Sequence, residues 1–152
     1  MKTLYIFFAL FFCVACSKDQ DNAPDEAGSK NSFTFQNSQH PTKSATYQYV
    51  VNNTAISLTS NDPDNQIILL FKGISYDAIQ GNYTYKEYFD PTFDMKSNFA
   101  DMTLYLGKDI YEDFDKGNIS ISKQGNMINI TYSFSGSSGT VSGSYSGIIS
   151  IS

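Results

Sequence analysis

Arginine and tryptophan are missing from this chain of 152 residues, histidine occurs once, and cysteine twice. Each shortage excludes something. With every basic residue a lysine, there is no planar guanidinium fork for bidentate capture of phosphate or carboxylate groups. A formal net charge of −5 works in the same direction, because affinity for nucleic acid comes mainly from neutralising its phosphates. Nucleic acid is therefore excluded as a partner. The lone His40 stands beside Pro41 in a stretch that reads as surface loop. A serine hydrolase needs a histidine base oriented by an acid, and the chain offers nothing to complete that arrangement. Metal sites built from cysteine and histidine fall to the same shortage, and no cofactor is implied.

What the chain has in quantity is aromatic surface, 11 Tyr and 12 Phe, beside Ile and Thr, all residues that favour strands. Its length suits one ordinary domain with an appendage. The appendage comes first. A single Lys2 is followed by the apolar run "LYIFFALFFCVA", shorter than the roughly 20 residues a bilayer-spanning helix needs. A short apolar run behind a basic start has the form of a secretory signal, expected over residues 1–15.

Cys16 follows the small Ala15 directly. The stretch "CVAC" resembles the lipobox of bacterial lipoproteins, with Cys13 where that motif usually carries leucine. The resemblance implies cleavage ahead of Cys16 and fatty acylation, palmitate-type, of its thiol. Cys13 follows the bulky Phe12, whereas a cleavage point requires small side chains. A disulfide is the competing use of two cysteines in an exported chain, but Cys13 leaves with the signal. The thiol then reads as a membrane tether, and multiple acyl chains make such a tether stable. The next residues, "SKDQD", resemble the acidic surface-export signal of Bacteroidota-type lipoproteins. That implies an outer-membrane location, on the cell surface, with the periplasmic face as the alternative.

Residues 16–31 hold the expected lipidated cysteine and a polar segment, "SKDQDNAPDEAGSKNS", with no aromatic or branched apolar residue. Such a composition reads as a flexible linker. Residues 32–152 read as a single all-β domain. "SFTFQ", "TYQYVV", "AISLTS" and "NYTYKEY" alternate apolar with polar residues, while "QIILLFKG" is continuously apolar and reads as a central strand covered on both faces. "MTLYLG" alternates through Met102, Leu104 and Leu106. Between Tyr88 and Asp101 the pattern weakens, and the segment reads as a helical turn near Asp90 and Pro91 or as an irregular loop. The clearest hairpin is "GNISISKQGNMINITYSF", where Gly125 can supply the positive φ of a tight turn. In the last strand Val141, Tyr145, Ile149 and Ile151 share one phase with Gly143 and Gly147, which predicts a bend or a change of partner.

About nine strands with short links imply an antiparallel meander, closed as a barrel or folded as a β-sandwich to hide its edges. The C-terminal third, "GNISISKQGNMINITYSF" followed by "VSGSYSGII", resembles the closing hairpins of small Bacteroidota-type lipoproteins of unassigned function, some with lipocalin-like barrels. For a barrel of that kind the resemblance implies a ligand in an aromatic-lined mouth.

The remaining motifs carry little chemistry. "GSYSG" has Tyr145 at the nucleophile position and lies within a strand, whereas a nucleophile elbow needs a strand-to-helix turn. In "KDIYEDFDKGN", Asp113 and Asp115 have the alternate spacing of a calcium loop, yet Gly117 comes one place early and Gln124 stands where a bidentate glutamate belongs. Glycoside hydrolysis needs two facing carboxyl groups, and Glu87, Asp90, Asp94, Asp101 and Glu112 are the available acids. A hydrolase with paired carboxylates is the third-ranked reading. The first is a non-catalytic binding or interaction module, and the second a structural or adhesive surface component. Exposed tyrosines offer flat apolar faces with a hydroxyl at the edge, so Tyr83, Tyr85 and Tyr88 are the candidate contacts for a small molecule, a glycan or a protein.

Overall fold

The computed structural model describes residues 31–152, so the signal, Cys16 and the linker up to residue 30 lie outside the described residues. The described chain is all-β. Its strands are β1 (Ser32–Phe35), β2 (Ser38–Val50), β3 (Asn53–Ser60), β4 (Gln66–Lys72), β5 (Gly81–Tyr85), β6 (Asn98–Phe99), β7 (Asp101–Leu106), β8 (Asp109–Tyr111), β9 (Phe114–Gln124), β10 (Met127–Gly136) and β11 (Gly139–Ile151). The expected strands are all present, and the short β6 and β8 raise the count from about nine to eleven.

Local chemistry sets the hairpins. Gln36 and Asn37 take φ of 49° and 65° between β1 and β2, and Gly125 takes 59° between β9 and β10. Two-residue turns with positive φ match the right-handed twist of the strands they join. The sequence order of the strands then departs from a simple meander. The sheet runs β6-β5-β9-β10-β11-β1-β2-β3-β4-β7-β8, so β5 pairs with β9 and β4 with β7. Two pairings are parallel, β5 with β6 and β11 with β2.

The sheet curls strongly around one core. Its two arms meet at Ala100: the Phe99 carbonyl accepts from the Lys86 N–H, and the Ala100 N–H donates to the Leu70 carbonyl. The segment from β6 to β7 thus bonds β5 on one side and β4 on the other. On the opposite wall β11 pairs with β1 over Val141–Ser144 and then with β2 over Ile149–Ile151, which is the predicted change of partner. Gly143 makes room for it. A Cβ there would lie 2.5 Å from the Ser32 carbonyl oxygen and 2.8 Å from Phe33 Cα.

The interior is packed with side chains from every long strand, Phe71, Phe99 and Phe134 in contact at its centre. One end, called here the rim end, carries the β2–β3 and β9–β10 turns and the last residue of β11. There the link between β4 and β5 folds over the core, burying Ile74 and Ile79. Tyr47 Oη donates to the Ile74 carbonyl at 3.1 Å, and Thr54 Oγ1 donates to the same oxygen. Lys123 Nζ donates to the Tyr76 carbonyl at 2.6 Å and lies over the Tyr76 ring. This link covers the core at the rim end.

Three local expectations need correction. β4 is buried on alternate residues only, Ile67, Leu69 and Phe71 inward with Ile68 and Leu70 half-buried, because a single curled sheet turns its other face outward. Ile151, though in phase with buried Ile149, projects past the end of the core and is exposed. His40 lies in β2 rather than a loop, stacked on Phe33 with ring centroids 4.8 Å apart, because the two are partners across the β1–β2 hairpin. Of the two readings for the segment between Tyr88 and Asp101, the loop is the one found: 86–97 forms hydrogen-bonded turns and no helix.

Candidate functional site

The three candidate tyrosines lie close together in sequence and end in three environments. Tyr83 faces inward from β5, is 2% exposed, and sets its ring edge-on to Phe71 with its hydroxyl toward the Gln80 carbonyl. Tyr85, two residues on, is half-buried with its ring edge on Phe99. Burial raises the hydroxyl pKa of both, and for Tyr85 the carboxylates of Glu87, Asp101 and Asp115 raise it further. Tyr88 lies past the end of β5, is 49% exposed, and meets Phe89 and Phe93 edge-on. Of the three only Tyr88 is exposed, and Lys72 Nζ stands over its ring, 4.3 Å from the centroid.

Tyr83 is therefore a core residue and not the ligand contact expected, because its phase on β5 turns it inward, and the signal missed lies just downstream. Phe89 is 90% exposed and Met95 about half exposed, both in the segment 86–97. Two aspartates hold that segment in shape. Asp90 accepts from the Thr92 N–H at 2.7 Å and from its hydroxyl, while Asp94 accepts from the Lys96 N–H and the Ser97 hydroxyl. These hydrogen bonds lower the carboxyl pKa of both residues, the Thr92 hydroxyl acting most on Asp90 and the Lys96 N–H most on Asp94. Lys86 Nζ donates to Thr92 Oγ1 at 2.7 Å. Asn98 is buried, donates to the Thr84 carbonyl and accepts from the Asp94 N–H. The aromatic ledge is therefore built on a stiff loop.

Behind the ledge lies an open cleft of about 490 Å³, with Ile74, Ala78, Tyr83 and Met95 as its apolar wall and Ser75, Gln80 and Lys96 as its polar edge. The interior that the lipocalin-like resemblance would open to a ligand is instead filled by Phe71, Tyr83, Phe99 and Phe134. A ligand at the cleft would sit outside the packed core.

The acidic candidates divide as well. Asp90 and Asp94 are committed to their turns. Glu112, Asp113 and Asp115 border a second open cleft, of about 350 Å³, with Tyr85 and Phe114, where the wall parts between β8 and β9. No group of three or more potential metal ligands occurs among the described residues. Gly117 and Gln124 lie on β9, so the calcium-loop spacing belongs to a strand. Tyr145, the centre of "GSYSG", is buried in β11 and donates to the Ile148 carbonyl at 2.9 Å. No family model, curated protein or solved structure matches this chain.

Proposed function

We propose that the protein is a lipid-anchored lipoprotein of the outer membrane, displayed at the cell surface, that acts by binding and not by catalysis. The anchor is the acylated Cys16, and the binding face is the ledge of Tyr88 and Phe89 with the cleft behind it. The observation that carries the reading is the exposure of Phe89 on a loop held by its own hydrogen bonds, since large exposed aromatics on a fixed frame are what binding surfaces present.

Three experiments test it. Cells fed a palmitate analogue should label the wild-type chain and not Cys16→Ala, and protease added to intact cells should digest the domain. Label retained by the variant removes the anchor, and full protection moves the domain to the periplasmic face. For the binding face, wild-type protein and a Tyr88→Ser/Phe89→Ser variant are compared on a panel of immobilised glycans and on phospholipid vesicles. Binding lost by the variant supports the ledge. Binding that is absent, or indifferent to the substitutions, overturns it.

The second reading, an adhesive or structural surface component, has its own support. β8 is an outer strand of the sheet order and exposes Ile110, so it could accept an added strand from another chain. Ile110→Lys would abolish self-association on that reading and leave ledge binding intact.

A further inference from the structure

The exposed large apolar side chains are unevenly distributed. Tyr49 and Val51 belong to the β2–β3 turn region, Met127 opens β10, and Ile148 and Ile151 close β11. All of these are at the rim end. Met127 and Ile148 are cross-strand partners, and Ile151 is paired with Tyr47, one alternation below Tyr49. The arc continues into the ledge, because Gly73 donates to the Asn52 carbonyl in the β2–β3 turn, Met95 lies against Gly73, and Lys72 covers Tyr88. Of the large apolar residues exposed in the described chain, only Ile110 lies toward the opposite end. That end carries Asp62, Asp64, Asp109, Glu112, Asp113 and Asp115 with Lys108 and Lys116, while the ledge sets Glu87, Asp90 and Asp94 beside Lys72, Lys86 and Lys96, and Asp77 lies in the rim link.

We infer that the rim seats the domain on a lipid bilayer, with Tyr49, Val51, Phe89, Met127, Ile148 and Ile151 entering the headgroup–acyl boundary and the opposite end pointing to water. This rests on the reading above that the ledge belongs to a binding face, and it names the occupant of that face. Three observations favour lipid. The arc mixes aliphatic with aromatic side chains, which suits acyl chains better than the polar rings of a glycan. Val51 holds a φ of 30°, a left-handed conformation that a β-branched residue adopts only with strain and that asparagine or glycine would take readily. An apolar side chain kept at such a position points to a use for it in the rim.

The third observation is where the tether meets the domain. Asn31, where the described residues begin, is pinned beside Ser146 by two hydrogen bonds, two residues along β11 from Ile148 of the rim. From Cys16 to Asn31 is 31 − 16 = 15 residues. A coil of that length has an r.m.s. span of roughly 22 Å. An acyl tether there holds the rim, rather than the opposite end, against the membrane.

The chain has no tryptophan, so single substitutions to that residue report their own surroundings. Phe89→Trp, Ile148→Trp and, at the far end, Ile110→Trp are made in the full-length acylated protein and reconstituted into phosphatidylcholine vesicles with or without bromine on the acyl chains. Bromine should cut the fluorescence of Phe89→Trp and Ile148→Trp to about half and leave Ile110→Trp unchanged, since rim side chains would reach roughly 5–10 Å into the boundary. Vesicle flotation, run in parallel, reports the anchor. Protein that floats with Phe89→Trp and Ile148→Trp unquenched overturns the seating and leaves the tether standing, and so does a rim buried against a second copy, seen as a dimer by sedimentation. Protein that does not float but is quenched at both rim positions by excess vesicles supports the seating and removes the tether.

Discussion

The hydroxyl of Tyr132 lies over Gly143, its cross-strand partner, and makes no hydrogen bond although it is buried. A Cβ at Gly143 would come within 2.6 Å of that oxygen, so the missing side chain is what allows the tyrosine to reach inward there. The ring stacks on Phe134 at 5.6 Å and contributes its apolar area to the core, while the oxygen is left without a partner. Two consequences can be measured.

Tyr132→Phe should raise stability at neutral pH by about 1 kcal/mol, because it removes an unsatisfied buried polar group and keeps the ring. Burial raises the Tyr132 pKa well above its ordinary value. Its stabilisation is therefore complete below the unfolded value of about 10 and declines as pH rises through that value toward the folded one. Denaturant unfolding between neutral and strongly alkaline pH checks this: the variant should lose less stability in alkali than wild type. An identical alkaline loss would assign the effect to other tyrosines.

Gly143→Ala should cost several kcal/mol, a large effect for one methyl group, through collision with backbone atoms of β1. Adding Tyr132→Phe removes one clash and leaves those with Ser32 and Phe33, so the double variant should recover only a minor part. Full rescue would show that the tyrosine alone sets the requirement for glycine.

Asn31 stands in for a backbone unit: its side-chain nitrogen donates to the Ser146 carbonyl at 3.1 Å and its side-chain oxygen accepts from the Ser146 N–H at 2.7 Å. Asn31→Ala should cost about 1–2 kcal/mol, with faster amide exchange at Ser146. Unchanged exchange there would mean that β11 does not depend on this contact.

The ledge should be acid-sensitive. Asp90 and Asp94 both have carboxyl pKa values below the ordinary range, so the stabilisation is present above the unfolded value of about 3.9 and is lost as pH falls through the lower folded values. Melting temperature should drop between about pH 5 and pH 2, and less so for Asp90→Asn/Asp94→Asn. Equal drops in the two proteins would exclude these turns as the source.

Val51→Asn should stabilise the domain by about 1 kcal/mol, because asparagine tolerates the left-handed conformation that valine resists. If the rim meets lipid, the same variant should bind vesicles less well while melting at a higher temperature. A variant that melts lower would show that Val51 is held by packing and not against strain.

The all-β class, the strand positions and the inward residues of the central hairpin follow from the sequence, because period-2 alternation fixes which side chains share a face whatever the neighbouring strand is. Ile119, Ile121, Ile128, Ile130, Tyr132 and Phe134 are all buried, and Gly125 turns with positive φ. Alternation is silent on partners. That β5 pairs with β9, that Ala100 joins the arms of the sheet, and that β11 changes from β1 to β2 depend on contacts between residues far apart in the chain. The site divides in the same way. Tyr83 could be read as core from its phase, but the exposure of Phe89, the strain at Val51 and the gathering of the rim residues at one end exist only once strands of different lengths are aligned. Residues of like phase, such as Ile149 and Ile151, separate into core and surface because the packed interior ends between them.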